Sequence, residues 1–378
     1  MAVSKSLGKF LIYPLCLLLI SCDFQQFKEN TIAISQQKKA QQEAYTEIAV
    51  IRGHKSRVND FVFSPDGRYV ASASFDGTVG LWDLTGKEIA LIRGDKYSVA
   101  SDVAFSPDSK ILAGARDRTV RLWDLTGKEI ALMNHGNGVN AVVFSPDGQV
   151  IASGDFAGTV WLWDTTGKEI VRTKGHQSVV NAMMFSPDGQ SIASGSNDGT
   201  VRLWDTAGQQ IAIMTPKADV LDVAFSPDGQ LIASGDRDGM IGLWNLNDNQ
   251  KAIMKGDRDV LVYTVAFSPN GQVIASGDIM GRLRLWDTTG KEIAATYPLG
   301  GKIVDLVFNP DGKIIANATG VGTVWLWDTT TGKKIAAIEG HKGSVTSVAF
   351  SPDGKTLASA GEDGTVRLWR LTGSEKEL

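Results

Sequence analysis

The sequence predicts an all-β chain made of eight four-stranded antiparallel units, and three observations carry that prediction. The first is one stretch, residues 175–208, which reads GHQSVVNAMMFSPDGQSIASGSNDGTVRLWDTAG. Its runs VVNAMMF, SIASGS and TVRLW are short, rich in β-branched and aromatic residues, and separated by turn signals. SPDG suits a type I turn, with Ser first, Pro preset at the second position and Gly closing the fourth. NDG supplies the Asp-Gly pair of a tight hairpin, and QQIAIM follows as a fourth strand. The second observation is recurrence. The Trp that closes the third strand falls at Trp82, Trp123, Trp163, Trp204, Trp244, Trp286, Trp327 and Trp369, at intervals of 40 to 42 residues. The third is a remainder: TEIAVIRG (46–53) copies the fourth-strand segments KEIALIRG (87–94) and KEIALMNH (128–135), yet no first three strands precede it.

Each unit has to bury two sheet faces, which one four-stranded sheet cannot do alone. A period of about 40–45 residues carrying GH and WD marks resembles the WD40 repeat, in which four strands make one blade of a β-propeller. The resemblance covers roughly residues 46 to 370. At the far end, Thr365 to Arg370 forms a third strand with only LTGSEKEL after it. A spare fourth strand at one end and a missing one at the other imply an eight-bladed WD40 β-propeller, closed by an N-terminal strand that completes the last blade. The expected organisation is 1–21 signal peptide, 22–45 tether, 46–370 propeller and 371–378 C-terminal tail.

Composition fits this scheme. The chain has 378 residues, 43% of them hydrophobic, enough for a large modular core. A formal net charge of −4 with no basic run argues against nucleic acid as a partner.

The first residues read differently from the repeats. Lys5 and Lys9 form a positive n-region, and Phe10 to Ile20 is an apolar stretch too short to span a bilayer but suited to a signal-peptide h-region. It ends in Leu19-Ile20-Ser21-Cys22, which resembles the lipobox of bacterial lipoproteins. The resemblance implies cleavage before Cys22, a diacylglycerol on its sulfur, and an extracytoplasmic protein lipid-anchored to a bacterial membrane. The only other cysteine, Cys16, lies inside the h-region, so the mature chain would carry no disulfide. The Gln-rich segment that follows, as far as Tyr45, reads as a tether.

The WD40 family carries a hydrogen-bonded tetrad that joins the His of GH, a Ser or Thr of the second strand, the Asp of the following turn and the Trp. The matching residues are His54, Ser72, Asp76 and Trp82; His176, Ser194, Asp198 and Trp204; and His341, Ser359, Asp363 and Trp369. Three full copies speak for a structural role, since catalysis needs one special copy. Other blades depart from the pattern. Blade two has Asp95 and Gly114 in the His and Ser slots. Blade three keeps His135 but has Ala157 for the Asp. Blades five to seven lack the His, and blade seven has Asn317 and Val321. These blades are expected to form the softer part of the ring.

All four histidines fall in the one structural slot, and the propeller holds no Cys, so no transition-metal site, Cys nucleophile or catalytic set is expected. No Walker loop or dinucleotide fingerprint occurs, and no cofactor is expected. Asp236-Arg237-Asp238-Gly239 is too sparse in ligands for a calcium loop. Carboxylates pairing across the central channel remain compatible with the sequence.

Binding is therefore the expected function: a non-catalytic scaffold for a protein or peptide partner, presented by a monomeric propeller and tethered to the membrane only by lipid. The alternatives are an enzyme or cofactor-binding propeller that uses its channel, and an envelope-assembly lipoprotein. In WD40 proteins partners dock on the top face, at residues flanking the start of strand a and in the b–c turn. Carried over, these are Arg57, Asn59, Phe75, Arg116, Phe156, Asn181, Asp219, Leu221, Arg237, Leu261, Tyr263 and Ile279. Leu221, Leu261, Tyr263 and Ile279 are expected to form one apolar patch at the top of blades five and six, with Asp219 and Arg237 at its rim.

Overall fold

Alternating apolar residues on short runs between Gly-containing turns leave the chain one economical solution, a series of four-stranded meanders. The computed structural model describes residues 45–94, 98–246, 252–257, 260–296 and 300–372. Cys22, the signal segment, the tether before Tyr45, Asp95 and the tail from residue 373 lie outside the described residues. All regular structure among the described residues is β-strand, arranged as eight four-stranded antiparallel sheets.

Blade one is typical. It runs from inner strand a (Val58–Phe63) through b (Tyr69–Ser74) and c (Val79–Asp83) to outer strand d (Glu88–Ile92). The inner strands of blades two to eight are Ala100–Phe105, Val139–Phe144, Val180–Phe185, Val220–Phe225, Val262–Phe267, Ile303–Phe308 and Val345–Phe350. Blade eight takes its outer strand from the other end of the chain. Tyr45–Ile51 pairs antiparallel with Val366–Leu371, Tyr45 opposite Leu371 and Ile51 opposite Val366. The propeller thus reaches one residue beyond each of the expected limits, 46 and 370. Three side-chain contacts pin the seam. Arg367 Nη1 lies 2.6 Å from Glu47 Oε2, the Tyr45 hydroxyl donates to the Ala337 carbonyl of blade seven at 2.8 Å, and the Tyr45 ring meets Trp369 edge-on.

The core lies between sheets. Ala71, Ala73 and Leu81 of blade one pack with Ala100, Val103, Phe105, Leu112 and Trp123 of blade two. Each of the other seven joints has a similar buried cluster, including the one between blades eight and one, where Ala358 and Leu368 meet Val58, Phe61 and Trp82. The ring therefore closes on an ordinary joint.

The SPDG segments form the bottom face. In blade one the Gly67 N–H donates to the Ser64 carbonyl at 2.8 Å, and the Ser64 hydroxyl donates to Asp66 at 2.6 Å. Gly67 has φ 69°, a left-handed conformation that glycine adopts without steric cost. The b–c turns and d–a loops emerge on the opposite face, the top.

Candidate functional site

The family's tetrad slots sit just under the top rim. In blade four His176 Nδ1 lies 3.0 Å from Asp198 Oδ2, His176 Nε2 lies 2.7 Å from Ser194 Oγ, and Trp204 Nε1 donates to Ser194 Oγ at 2.8 Å. Blade eight repeats this, with His341 3.1 Å from Asp363, 2.9 Å from Ser359, and Trp369 donating to Ser359 at 3.0 Å. Since the carboxylate can only accept, the proton sits on Nδ1, and Nε2 accepts from the serine hydroxyl. Burial holds both imidazoles below the usual histidine range despite the carboxylates. At neutral pH these pairs are therefore hydrogen bonds to a neutral ring.

Blade one differs in one link. His54 Nε2 lies 2.6 Å from Ser72 Oγ, and Trp82 donates to the same oxygen at 2.8 Å. His54 Nδ1, however, meets Thr78 Oγ1 at 2.7 Å, while Asp76 stands 3.8 Å away. Thr78 relays the bond, donating its hydroxyl to Asp76 at 2.5 Å. The tetrad read as His54, Ser72, Asp76 and Trp82 is thus corrected to a chain of five.

The divergent blades use other devices. In blade three His135 reaches Ser153 at 2.8 Å, and the Trp161 ring, stacked on Trp163 at 5.3 Å, packs against His135. Burial, with little compensation, takes His135 down to about 4. Blade six places Asp257 in the His slot, ion-paired with Arg282 and, at 2.6 Å, with Arg284. In blade seven Trp327 donates to Asn317 Oδ1 at 2.6 Å. Blade two has no room for a serine, because a Cβ on Gly114 would stand 2.8 Å from the Trp123 ring. In blades three, five and six an aspartate at the end of strand b caps the turn: Asp155, Asp236 and Asp278 each accept two backbone N–H groups there.

A backbone bond on the top rim recurs in every blade. The first b–c turn residue donates its N–H to the carbonyl just before strand a: Phe75 to Arg57, Phe156 to Gly138, Asn197 to Val179, Arg237 to Asp219, Ile279 to Leu261, and likewise Asp117, Gly320 and Glu362. The two classes of position that resemble docking residues are therefore held together, blade after blade. Arg57 is exposed, and Phe75 and Phe156 are 58% and 54% exposed. Arg237 is exposed and ion-paired with Asp219 at 3.0 Å.

Three of the expected contact residues have other work. Arg116 is only 3% exposed. The b–c turn of blade two is one residue shorter, Arg116 pairs with Thr119, and Asp117 takes the rim position with φ 51°. Asn59 donates its amide to the Ala100 carbonyl at 2.7 Å, and Asn181 donates to Val220 at 2.7 Å. Both lace one inner strand to the next. Asn140, Ser101 and Thr346 do the same in their blades. In blades five, six and seven this slot holds Leu221, Tyr263 and Val304, all half-buried; Leu221 and Val304 have no side-chain donor to lace with, and the Tyr263 ring carries Lys302 Nζ at 5.6 Å. Leu261 and Ile279 are half-buried beside them.

Two features lie outside the expected contact residues. Met280 and Val321, in the turn slot that elsewhere holds the tetrad aspartate, are each 55% exposed. Their signal is present in the sequence, as apolar residues at a polar turn position. The second is a set of half-buried carboxyls on the inner strands, Asp60, Asp102, Asp222 and Asp305, signalled by Asp at one strand-a register. At the bottom mouth of the channel, Val62, Phe63, Ala104, Phe105, Val143 and Phe144 wall a cavity of about 410 Å³. Among the described residues no group of three or more His, Cys, Asp or Glu is placed to hold a metal ion.

Comparison with known proteins agrees with this geometry. The model "IFT122 first beta-propeller" matches residues 99–304, more than half of the chain, and "WD domain, G-beta repeat" matches residues 45–83 and 332–370. Ribosome assembly protein 4 of Saccharomyces cerevisiae is 58% identical over 36 residues, which is 10% of this chain and 7% of that protein. The crystal structure of the computationally designed Ika8 protein superposes with a TM-score of 0.77 at 28% identity, covering 86% of this chain and 99% of that one.

Proposed function

Because the chain belongs to the WD40-repeat β-propellers, whose members generally serve as protein-interaction scaffolds, we propose that it is a non-catalytic scaffold that docks a protein or peptide on the top of blades five to seven. One observation carries the reading. The slot that laces blade to blade through Asn59, Ser101, Asn140, Asn181 and Thr346 is apolar or aromatic in the three consecutive blades five to seven, as Leu221, Tyr263 and Val304. Next to it stand Leu261, Ile279, Met280 and Val321. Giving up a hydrogen bond to leave apolar surface at a water-facing mouth gains nothing for folding alone, and contiguous apolar surface is what a partner buries.

The tether extends the proposal. Cys22 in its lipobox-like setting would anchor the scaffold outside the cytoplasm, with the propeller entering at the c–d end of its closing strand and the top face turned away from that attachment. Stable anchoring calls for more than one acyl chain, each contributing about 0.8 kcal/mol per buried CH₂.

The test pairs two variants. Leu261→Ser with Tyr263→Ser should abolish capture of partners from the protein's own envelope fraction while the melting temperature barely moves. Unchanged capture by a folded variant would remove blades five and six as the docking surface. Cys22→Ser should lose acyl labelling and membrane extraction behaviour, and unaltered labelling would end the lipoprotein reading without touching the docking one.

A further inference from the structure

Every inner strand carries a β-bulge after its first residue, and the residue beyond the bulge lies at a joint between neighbouring blades. In four blades that residue is an aspartate. Asp102 Oδ2 accepts the Val142 N–H of blade three at 2.7 Å, Asp222 Oδ2 accepts Val265 of blade six at 2.9 Å, and Asp305 Oδ2 accepts Val348 of blade eight at 2.8 Å. These bonds join the inner ring near the channel. The blade-one joint is different, because Asp60 faces a blade whose own residue in that slot is also an aspartate. Asp102 Oδ1 takes the Val103 N–H at 2.8 Å, leaving Asp60 Oδ2 a long 3.4 Å contact to the same group. Two carboxyls of neighbouring blades thus converge on one donor, the Val103 N–H.

Two carboxyls that approach the same N–H group cannot both be ionised without strong repulsion. We propose that Asp60 and Asp102 share a single proton, and that this proton clasps blade one to blade two, so that the inner ring carries one joint that weakens when the proton leaves. Asp60 O–H is the donor, and Asp102 accepts it while keeping its bonds to Val103 and Val142. Burial and the charges of Asp102 and Asp305 push Asp60 well above the usual carboxylate range, and burial raises Asp102. The other two carboxyls of the set are raised as well, Asp222 to about 7 and Asp305 to about 6, each mainly by burial. The groups facing them are the hydroxyls of Thr264 at Asp222 and Ser347 at Asp305. Among the described residues no Lys, Arg or His pairs with any of the four. The proposal is independent of the docking and tether readings.

A folded-state pKa above the unfolded one stabilises at low pH, and that stability disappears as pH rises through the folded value. The decisive variant is Asp60→Asn in the full chain, since an amide keeps a donor toward Asp102 and an acceptor toward Val103 without a proton to lose. Chemical unfolding between about pH 6 and pH 9 should show the wild-type folding constant falling more steeply than the variant's, by up to about tenfold per pH unit for one proton. Parallel profiles, or a variant weaker at every pH, overturn the proposal. Should Asp60→Asn not fold, carboxyl-carbon NMR of aspartate-labelled wild-type chain decides. A resonance still protonated at about pH 8, where groups titrating at about 6 and about 7 are mostly ionised, is expected. If every aspartate carboxyl is ionised there, the clasp does not exist.

Discussion

At the scale of single residues, the buried histidines show how much one turn aspartate does. Asp198 accepts His176 Nδ1, the backbone N–H groups of Gln177 and Thr200, and the Thr200 hydroxyl. Asp198→Ala should therefore cost about 1–3 kcal/mol in chemical denaturation, the range for orphaning a buried donor. Ala157→Ser in blade three should change stability by a few tenths, because Asp155 already caps that turn and no carboxylate supports His135. Equal losses at the two sites would show that the tetrad carries no special weight. The sequence makes the histidine and its serine legible because GH and the Trp keep a constant spacing around them. It hides the Thr78 relay, since a threonine follows the turn in blade four as well, and only side-chain rotation decides which oxygen meets the ring. It also misplaces Arg116. Phe63 and Trp82 are 19 residues apart but Phe105 and Trp123 only 18, and the repeat alone does not say on which side of the turn the missing residue falls.

At the scale of elements, the strands are legible almost to the residue, because apolar alternation and SPDG turns fix both ends of each. The closing strand is readable for another reason: its copy in other blades shows what it should pair with. Deleting residues 45–51 should leave Val366–Leu371 as a bare edge beside blade seven and remove the Glu47–Arg367 and Tyr45–Ala337 contacts. Light scattering should then report association, as expected of an uncovered edge. Deleting 23–42 should leave both the association state and the melting temperature unchanged. Association in both truncations would shift the blame from the edge to the tether. The outer strands also carry Ile89, Ile130, Ile170, Ile211, Ile293 and Ile335, all exposed; no physical account of that girdle follows from the packing.

For the whole molecule, two sets of buried groups pull stability in opposite directions as the pH changes. The four histidines are held neutral by burial, so below about pH 6.5 the unfolded chain takes up protons that the folded one refuses, and stability falls as the pH drops, for His135 down to about 4. The inner-ring carboxyls act in the opposite sense: their raised values stabilise the fold at low pH, and that contribution is lost as the pH rises from the ordinary carboxylate range to about 6 for Asp305 and about 7 for Asp222. The two sets therefore offset each other between about pH 4 and pH 7, so over that range the melting temperature of an Asp222→Asn variant should climb with pH more steeply than the wild type's, and parallel profiles would contradict the raised carboxyl. The ring as a whole is legible from eight repeated Trp positions, whereas the carboxyl set is not, since its members matter only once neighbouring blades are brought edge to edge. The seam carries a further consequence, for synthesis. Glu47 and its partner Arg367 are 320 residues apart. At about 5–20 residues per second, Tyr45–Ile51 waits roughly 16–64 s for Val366–Leu371 to be made. Throughout that interval it has a choice of seven look-alike third strands, so the identity of its true mate is settled by arrival order and by the contacts of Tyr45 and Glu47 at the final blade.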